Sequence, residues 1–200
     1  MTHPIYNIIQ DRRSIRRYTE QPVPPNLVRR LLEAAHWAPS AHNRQPWRFA
    51  ILHSPEARHA LAAAMGEKLR ADLTADGASA ELIERDVSRS YSRISSAPLA
   101  VVVCLSMADM DRYPDARRNE AEYLMAVQSV AMAAQNLLLA AQAEGLGACW
   151  LCAPLFCPSV VRQTLTLPED WQPQALITLG YPAVARQSSR QPLETRVLWR

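Results

Sequence analysis

The sequence lacks most of the marks of a specialised class. It has only four cysteines, Cys104, Cys149, Cys152 and Cys157. The opening Met1-Thr2-His3-Pro4-Ile5 has no basic region leading into an apolar one, so no secretory leader is expected. The expected compartment is cytoplasmic, where the cysteines read as thiols rather than a disulfide framework. The net charge is only +3, small for a dedicated nucleic-acid binder. Glycine is scarce, and Gly145 and Gly147 do not spell the G-x-G-x-x-G of a dinucleotide loop. They also follow a helix and precede a strand, the reverse of that order. No repeat and no low-complexity linker is present. The one long uncharged stretch, Leu124 to Ala143, is broken by Gln128, Ser129, Gln135, Asn136 and Gln142 and is rich in alanine. It reads as a buried central or dimer-interface helix rather than a membrane span. Cys149-Trp150-Leu151-Cys152 has the spacing of a redox or metal motif, but no second such pair and no histidine pair completes a zinc site. Buried structural thiols are expected there. No nucleophile triad stands out, and of the five histidines only His42 lies in a motif, as a surface group or a substrate contact.

What is present is an ordinary globular balance. The chain has 200 residues, 48% hydrophobic and 20% charged, enough for a real core. Asn7 to Asp11 reads as a short helix. Leu27, Leu31, Ala35 and Ala38 recur at helical spacing, which predicts an amphipathic helix over 26–38, stopped by Pro39. Trp47 to His53 reads as a strand. Residues 55–71 and 78–94 read as helices separated at Gly77, and 66–96 is a candidate lid. The apolar run Leu99–Leu105 predicts a strand covered on both faces. Residues 109–118 read as a mobile polar loop and 119–143 as a long helix, ended by Gly145 and Gly147. Strands are expected over 148–152 and 174–180, and a short helix over 158–165. Val197-Leu198-Trp199 could add a strand to a neighbour. The pattern is mixed α and β in one domain, with long helices covering both faces of a small central sheet.

Two segments carry candidate chemistry. Arg12-Arg13-Ser14-Ile15-Arg16 gathers guanidinium forks and a hydroxyl, which suit phosphate oxygens through charge-assisted hydrogen bonds. The same residues also read as a solvated basic turn, or as a nucleic-acid contact with few aromatics to support it. The loop from Pro39 to Trp47 exposes backbone donors and acceptors, and Asn43 and Gln45 add amides that suit the edge of a planar heterocycle. It equally reads as a plain connection between helix and strand.

Taken together, Arg12-Arg13-Ser14-Ile15-Arg16 and Ala38-Pro39-Ser40-Ala41-His42-Asn43-Arg44-Gln45-Pro46-Trp47 resemble the nitroreductase family, and the likeness runs on to Leu179-Gly180-Tyr181-Pro182. The resemblance implies an α+β fold, a central, mostly antiparallel sheet flanked by helices, in an intertwined homodimer with FMN at the subunit interface. It implies that Arg12 and Ser14 hold the cofactor phosphate with help from Arg13, and that Arg16 lies near the pyrimidine edge of the ring. By the same likeness Pro39, Ser40, Ala41 and Asn43 reach the flavin from the partner chain. Trp150 and Leu151 line the other side of the ring, and Arg190 closes on the phosphate.

The resemblance further implies two-electron transfer from NADH, NADPH or another reductant to a small organic acceptor. A narrower likeness joins Pro39–Phe49, Gly145–Trp150 and Leu167-Pro168-Glu169-Asp170-Trp171 to the flavin domain fused to the glutamyl ligase of deazaflavin coenzyme F-420 biosynthesis, where the substrate is a dehydro precursor of that coenzyme. These residues hold no ligase domain and keep Asn43, which resembles ordinary nitroreductases, so the substrate stays open between free-standing reductases of either sort. A broad nitro or quinone reductase, a flavin-destroying or dehalogenating relative, and a non-catalytic flavin-binding protein are the alternatives.

Overall fold

The apolar run Leu99–Leu105 forms a strand with every residue buried. It lies inside the sheet, as its unbroken hydrophobicity demands. The computed structural model describes residues 3–185 and 187–200, so Met1 and Thr2 of the stretch read for a leader fall outside it. In chain order the elements are α1 (Pro4–Asp11), α2 (Pro25–His36), β1 (Trp47–Leu52), α3 (Pro55–Ala75), α4 (Ala80–Ser95), β2 (Leu99–Leu105), α5 (Ala116–Ala143), β3 (Gly147–Leu151), α6 (Pro158–Thr164) and β4 (Gln172–Gly180).

The four strands make one antiparallel sheet in the order β1-β2-β4-β3. Side chains alternate between its faces. Leu99, Val101, Val103 and Leu105 pack with Ala175, Ile177 and Leu179 against α2 and α5. Ala100, Val102, Cys104 and Leu176 pack with Leu61 and Met65 of α3, Ile94 of α4 and Val161 of α6. Helices thus cover both faces, as expected for a mixed chain. Helix α5 is long and apolar enough to cross a membrane, with a mean hydropathy of 1.5. Here its small residues Ala126, Ala133, Ala134 and Ala141, with Val130 and Leu137, are buried in the core instead.

Local signals set the ends of these helices. Ser54, Ser79 and Asp115 cap α3, α4 and α5 by accepting from backbone N–H groups three residues on. Gly77 and Gly145, both at φ +74°, stop α3 and α5. In each case the glycine N–H and the next N–H turn back to carbonyls of the last turn, Thr74 and Leu73 in one, Gln142 and Ala141 in the other.

Several boundaries differ from the sequence expectation. Helix α1 begins at Pro4 rather than Asn7, because proline is at home in a first turn. Helix α5 begins at Ala116, since the Asp115 cap draws Arg117 and Arg118 out of the expected loop. Gly147 belongs to β3 and leaves helix termination to Gly145 alone. Strand β4 starts at Gln172. Pro173 is tolerated there because the β2–β4 register shifts between Val103 and Cys104. Cys152 lies beyond β3 and is exposed, unlike the buried Cys104, Cys149 and Cys157, so the expectation of buried thiols fails for it. The segment Val197–Trp199 forms no strand within this chain.

Candidate functional site

The first cluster grows from the open edge of β3. After α1 the chain runs beside that edge, where Ser14 bridges Ala148 and the Ile15 N–H donates to the Ala148 carbonyl at 3.0 Å. This close approach depends on Gly147, since a Cβ there would lie 2.8 Å from Ile15 Cβ. Further on, the Thr19 N–H donates to Tyr181 and the Ala183 N–H to Arg17. The Tyr18 hydroxyl pins the crossing. It donates to the Ile15 carbonyl at 2.6 Å and pairs with Thr178 Oγ1 at 2.8 Å. Burial pushes the Tyr18 phenol far above its ordinary pKa, so the pin stays neutral.

Held in this way, Arg12, Arg13, Ser14 and Arg16 converge with Gln187, Ser188 and Arg190 on a recess of about 240 Å³. Among the described residues, the hydrogen bonds of Arg13, Arg16 and Arg190 go to neutral oxygens. Arg13 donates to the Arg12 carbonyl at 2.9 Å and to the Gln10 carbonyl. Arg16 donates weakly to the Ser14 carbonyl at 3.4 Å, and Arg190 to Ser188 Oγ at 2.9 Å and to the Ser189 carbonyl. Among the described residues no carboxylate pairs with Arg12, Arg13, Arg16 or Arg190. The Nε–H groups of Arg13 and Arg16 are buried with no acceptor among the described residues. A buried donor left unpaired is costly, so the recess is built for an anion with several acceptor oxygens. Arg93 of α4 adds to the field. Desolvation first, and then the charge of Arg16, lower its pKa. Cys149 lies beneath. Burial raises its pKa, against the opposing charges of Arg16, Arg93 and Arg12.

The second cluster is the loop between α2 and β1. Ser40 Oγ accepts from the Gln45 N–H at 3.0 Å, closing the loop on itself. The Ala41 N–H donates to Ser129 Oγ of α5 at 3.2 Å, and Ser129 donates in turn to the Met125 carbonyl. Ala41–Asn43 form a tight turn in which His42 and Asn43 have φ of +51° and +54°, and Gln45 follows at +52°. Left-handed backbone at three non-glycine residues persists only where the surroundings enforce it, and such strain gathers at functional sites. Pro39, His42 and Asn43 face solvent, whereas Ser40 and Ala41 are half-buried.

The two clusters do not meet within one chain. Ser14 sits at β3 on one edge of the sheet, level through the register with Leu179 and Leu99. The loop enters β1 on the opposite edge at Trp47, level with Leu105. They are separated by four strand spacings across and about six residues along, on the order of 28 Å corner to corner. Trp150 and Leu151, at the far end of β3, are half-buried and point to opposite faces, Trp150 towards α5 and Leu151 towards α6. Because the Ala148 carbonyl faces the open edge, the period of two turns the Trp150 backbone the same way.

A larger hollow of about 760 Å³ lies beside the loop, lined by Arg29, Leu32, Glu33, His36, Trp47 and Arg48 among others. Its cations are already paired, Arg29 with Glu33, Arg44 with Asp111 and Arg48 with Asp109. It therefore has no net pull on an anion, and the smaller recess is the better anion site. Sequence reading missed Gln187 and Ser188, which only the folding back of the tail brings to the arginines. It also missed Arg93, which looked like one charge among many on an amphipathic helix, and Ser129, which stood out only as a polar break in an apolar run.

The nitroreductase family profile matches residues 9–181. An NADH dehydrogenase of Thermus thermophilus is 32% identical over 214 aligned positions, spanning 94% of this chain and 92% of the relative. A protein assigned as an NADH dehydrogenase/NAD(P)H nitroreductase in Methanothermobacter thermautotrophicus is 30% identical over 181 positions, spanning 90% and 78%. The crystal structure of a protein assigned as a nitroreductase from Desulfovibrio desulfuricans, in complex with FMN, superposes with a TM-score of 0.77 at 30% identity, covering 100% of this chain and 98% of the other. An antiparallel sheet between two helical layers, with an arginine recess at its edge, defines a member of a cofactor-binding α+β class. The chain belongs to the nitroreductase family.

Proposed function

We propose that this chain is an FMN-dependent oxidoreductase that works as a homodimer, passing two electrons from a reduced nicotinamide to a small organic acceptor. The observation that carries this reading is the recess of acid-free arginines with two buried, unpartnered Nε–H groups. The FMN phosphate supplies the charge and the acceptor oxygens that such a recess needs. FMN, when bound, supplies two-electron transfer between donor and acceptor. Arg12, Ser14, Arg13 and Arg190 hold the phosphate. Arg16 places a permanent positive charge beside the cofactor, which favours added negative charge whatever the pH. The outward backbone of Trp150 lies further along the same edge, where a planar ring finds a donor and an acceptor, and Leu151 contributes apolar contact.

The diagonal separation of the two clusters supports the dimer, because one chain cannot offer both to one small molecule. Pro39, Ser40, Ala41 and Asn43 then come from the partner. Exposed apolar side chains support it too. Ile5, Tyr6 and Ile9 of α1, Leu124 of α5 and Trp199 of the tail are all about half or more exposed. Four free thiols fit a cytoplasmic protein. For the acceptor we favour a dehydro precursor of deazaflavin coenzyme F-420, on the likeness around Gly145–Trp150 and Leu167–Trp171. A broad nitro or quinone reductase is the alternative.

The test is an absorbance spectrum of the purified protein followed by anaerobic titration with NADPH and NADH. Flavin bands that bleach on titration establish cofactor and donor together. A colourless protein that takes up no added FMN overturns the reading, and bands that no nicotinamide bleaches leave a flavin-binding protein.

A further inference from the structure

The loop that carries Pro39 to Gln45 holds a second constellation that the proposed electron transfer does not use. His42 from the loop, Asp111 from the segment after β2 and Glu122 from the first turns of α5 each offer one ligand atom, and these atoms lie within 4.8 Å of one another. Glu122 is the unusual member. Its side chain is 1% exposed, and neither carboxylate oxygen has a hydrogen-bond partner among the described residues. The nearest cationic candidate, His42 Nε2, stands 3.6 Å from Oε1, beyond hydrogen-bonding range. A buried carboxylate without donors is among the most costly arrangements in a folded chain, and burying it calls for a paired cation or a metal ion. Asp111 completes the set. Arg44 occupies its Oδ1, which leaves Oδ2 for another partner.

We propose that His42, Asp111 and Glu122 bind a divalent transition-metal cation. One imidazole and two carboxylates make a donor set suited to zinc or manganese. Bonds of about 2.0–2.2 Å put the donors of a tetrahedral site roughly 3.3–3.6 Å apart, the spacing at which His42 Nε2 and Glu122 Oε1 already stand at 3.6 Å, and Asp111 closes in by about 1.5 Å at most. The two carboxylates balance the ion's charge. Water fills the remaining positions on the exposed side, where His42 is half open to solvent. The ion would clamp three separate segments together, fixing the strained turn at His42 and Asn43 to α5. That is the part of the loop assigned above to the partner's flavin. The proposal itself rests on neither flavin nor dimer, because all three ligands belong to one chain.

Manganese is the probe of choice, because the four free cysteines compete for zinc but hardly for this harder ion. Protein as isolated, with whatever cofactor it carries, is freed of metal by chelation and titrated with Mn²⁺. The electron-spin signal of the free ion counts what is bound. Uptake should saturate at about one ion per chain, and zinc should displace it. Glu122→Gln and His42→Ala should each weaken binding by about 100-fold or more, exceeding the usual cost of losing an outer-shell partner. Asp111→Asn, at the more exposed rim, keeps the test open should a buried variant fail to fold, and should weaken binding at least about tenfold. No saturable uptake, or uptake that survives these substitutions, overturns the proposal and leaves His42 and Glu122 as a simple pair.

Discussion

Gly147 shows how much one missing methyl group can decide. The chain at Ile15 runs so close to β3 that a Cβ on Gly147 would press on Ile15 Cβ and Cγ2 at 2.8 Å. Gly147→Ala should therefore push the arginine segment off the sheet edge, costing about 1–3 kcal/mol of stability and weakening FMN binding at the same time. Gly77→Ala is the control. Its Cβ meets nothing, so only the backbone strain at φ +74° remains. It should cost about 1 kcal/mol and leave FMN binding unchanged, as a flavin-fluorescence titration of both variants would show. Arg16→Ala removes a charge-assisted contact worth about 1.5–3 kcal/mol, and should weaken FMN about 10- to 100-fold with little change in the melting point. An unchanged affinity would remove Arg16 from the site. Cys104 sets an alkaline limit. Burial pushes its thiol up to about 12 from 9.0, so the folded chain keeps a proton that the unfolded chain releases. Stability is therefore full below pH 9 and is lost as pH rises towards 12, at about 1.4 kcal/mol per pH unit. The buried thiols of Cys149 and Cys157 shift the same way. The urea midpoint should fall between pH 9 and 11, and less steeply in Cys104→Ala.

At the scale of elements, legibility followed how local the cause was. The run Leu99–Leu105 announced a buried strand because hydrophobicity alone requires one. Gly77 marked the helix break because only its own backbone angle matters. Gly147 was misread as a second helix terminator, since its reason lies at Ile15, more than a hundred residues away in the chain. The strand expected over 174–180 omits Gln172-Pro173, because the register shift that admits a proline beside β2 is a property of two strands. The expected start of α5 at 119 is late because the polar run 109–118 reads as a loop, whereas the Asp115 cap opens the helix at Ala116. The basic run from Arg12 to Arg16 was read as one of three things, and the recess favours the anion site because acids are missing around it. That absence is tertiary and has no sequence signature. Gln187 and Ser188 were equally invisible, as were the three residues brought together at Glu122.

At the scale of the whole molecule, the proposed homodimer, with the two clusters at diagonal corners of each sheet, predicts that the purified protein sediments at about twice 22.4 kDa. A molecule of one mass would contradict the homodimer. The same geometry has a genetic reading. If each flavin site takes its arginines from one chain and its loop from the other, a chain damaged only in the recess and a chain damaged only in the loop fail separately for different reasons. Mixed in one dimer, they place both injuries in one site and leave the other site whole. Co-expression of Arg12→Ala with Asn43→Ala should therefore give mixed dimers that hold one flavin, half that of the unmutated dimer, which neither variant alone can hold. Two broken copies of this protein should then rescue each other.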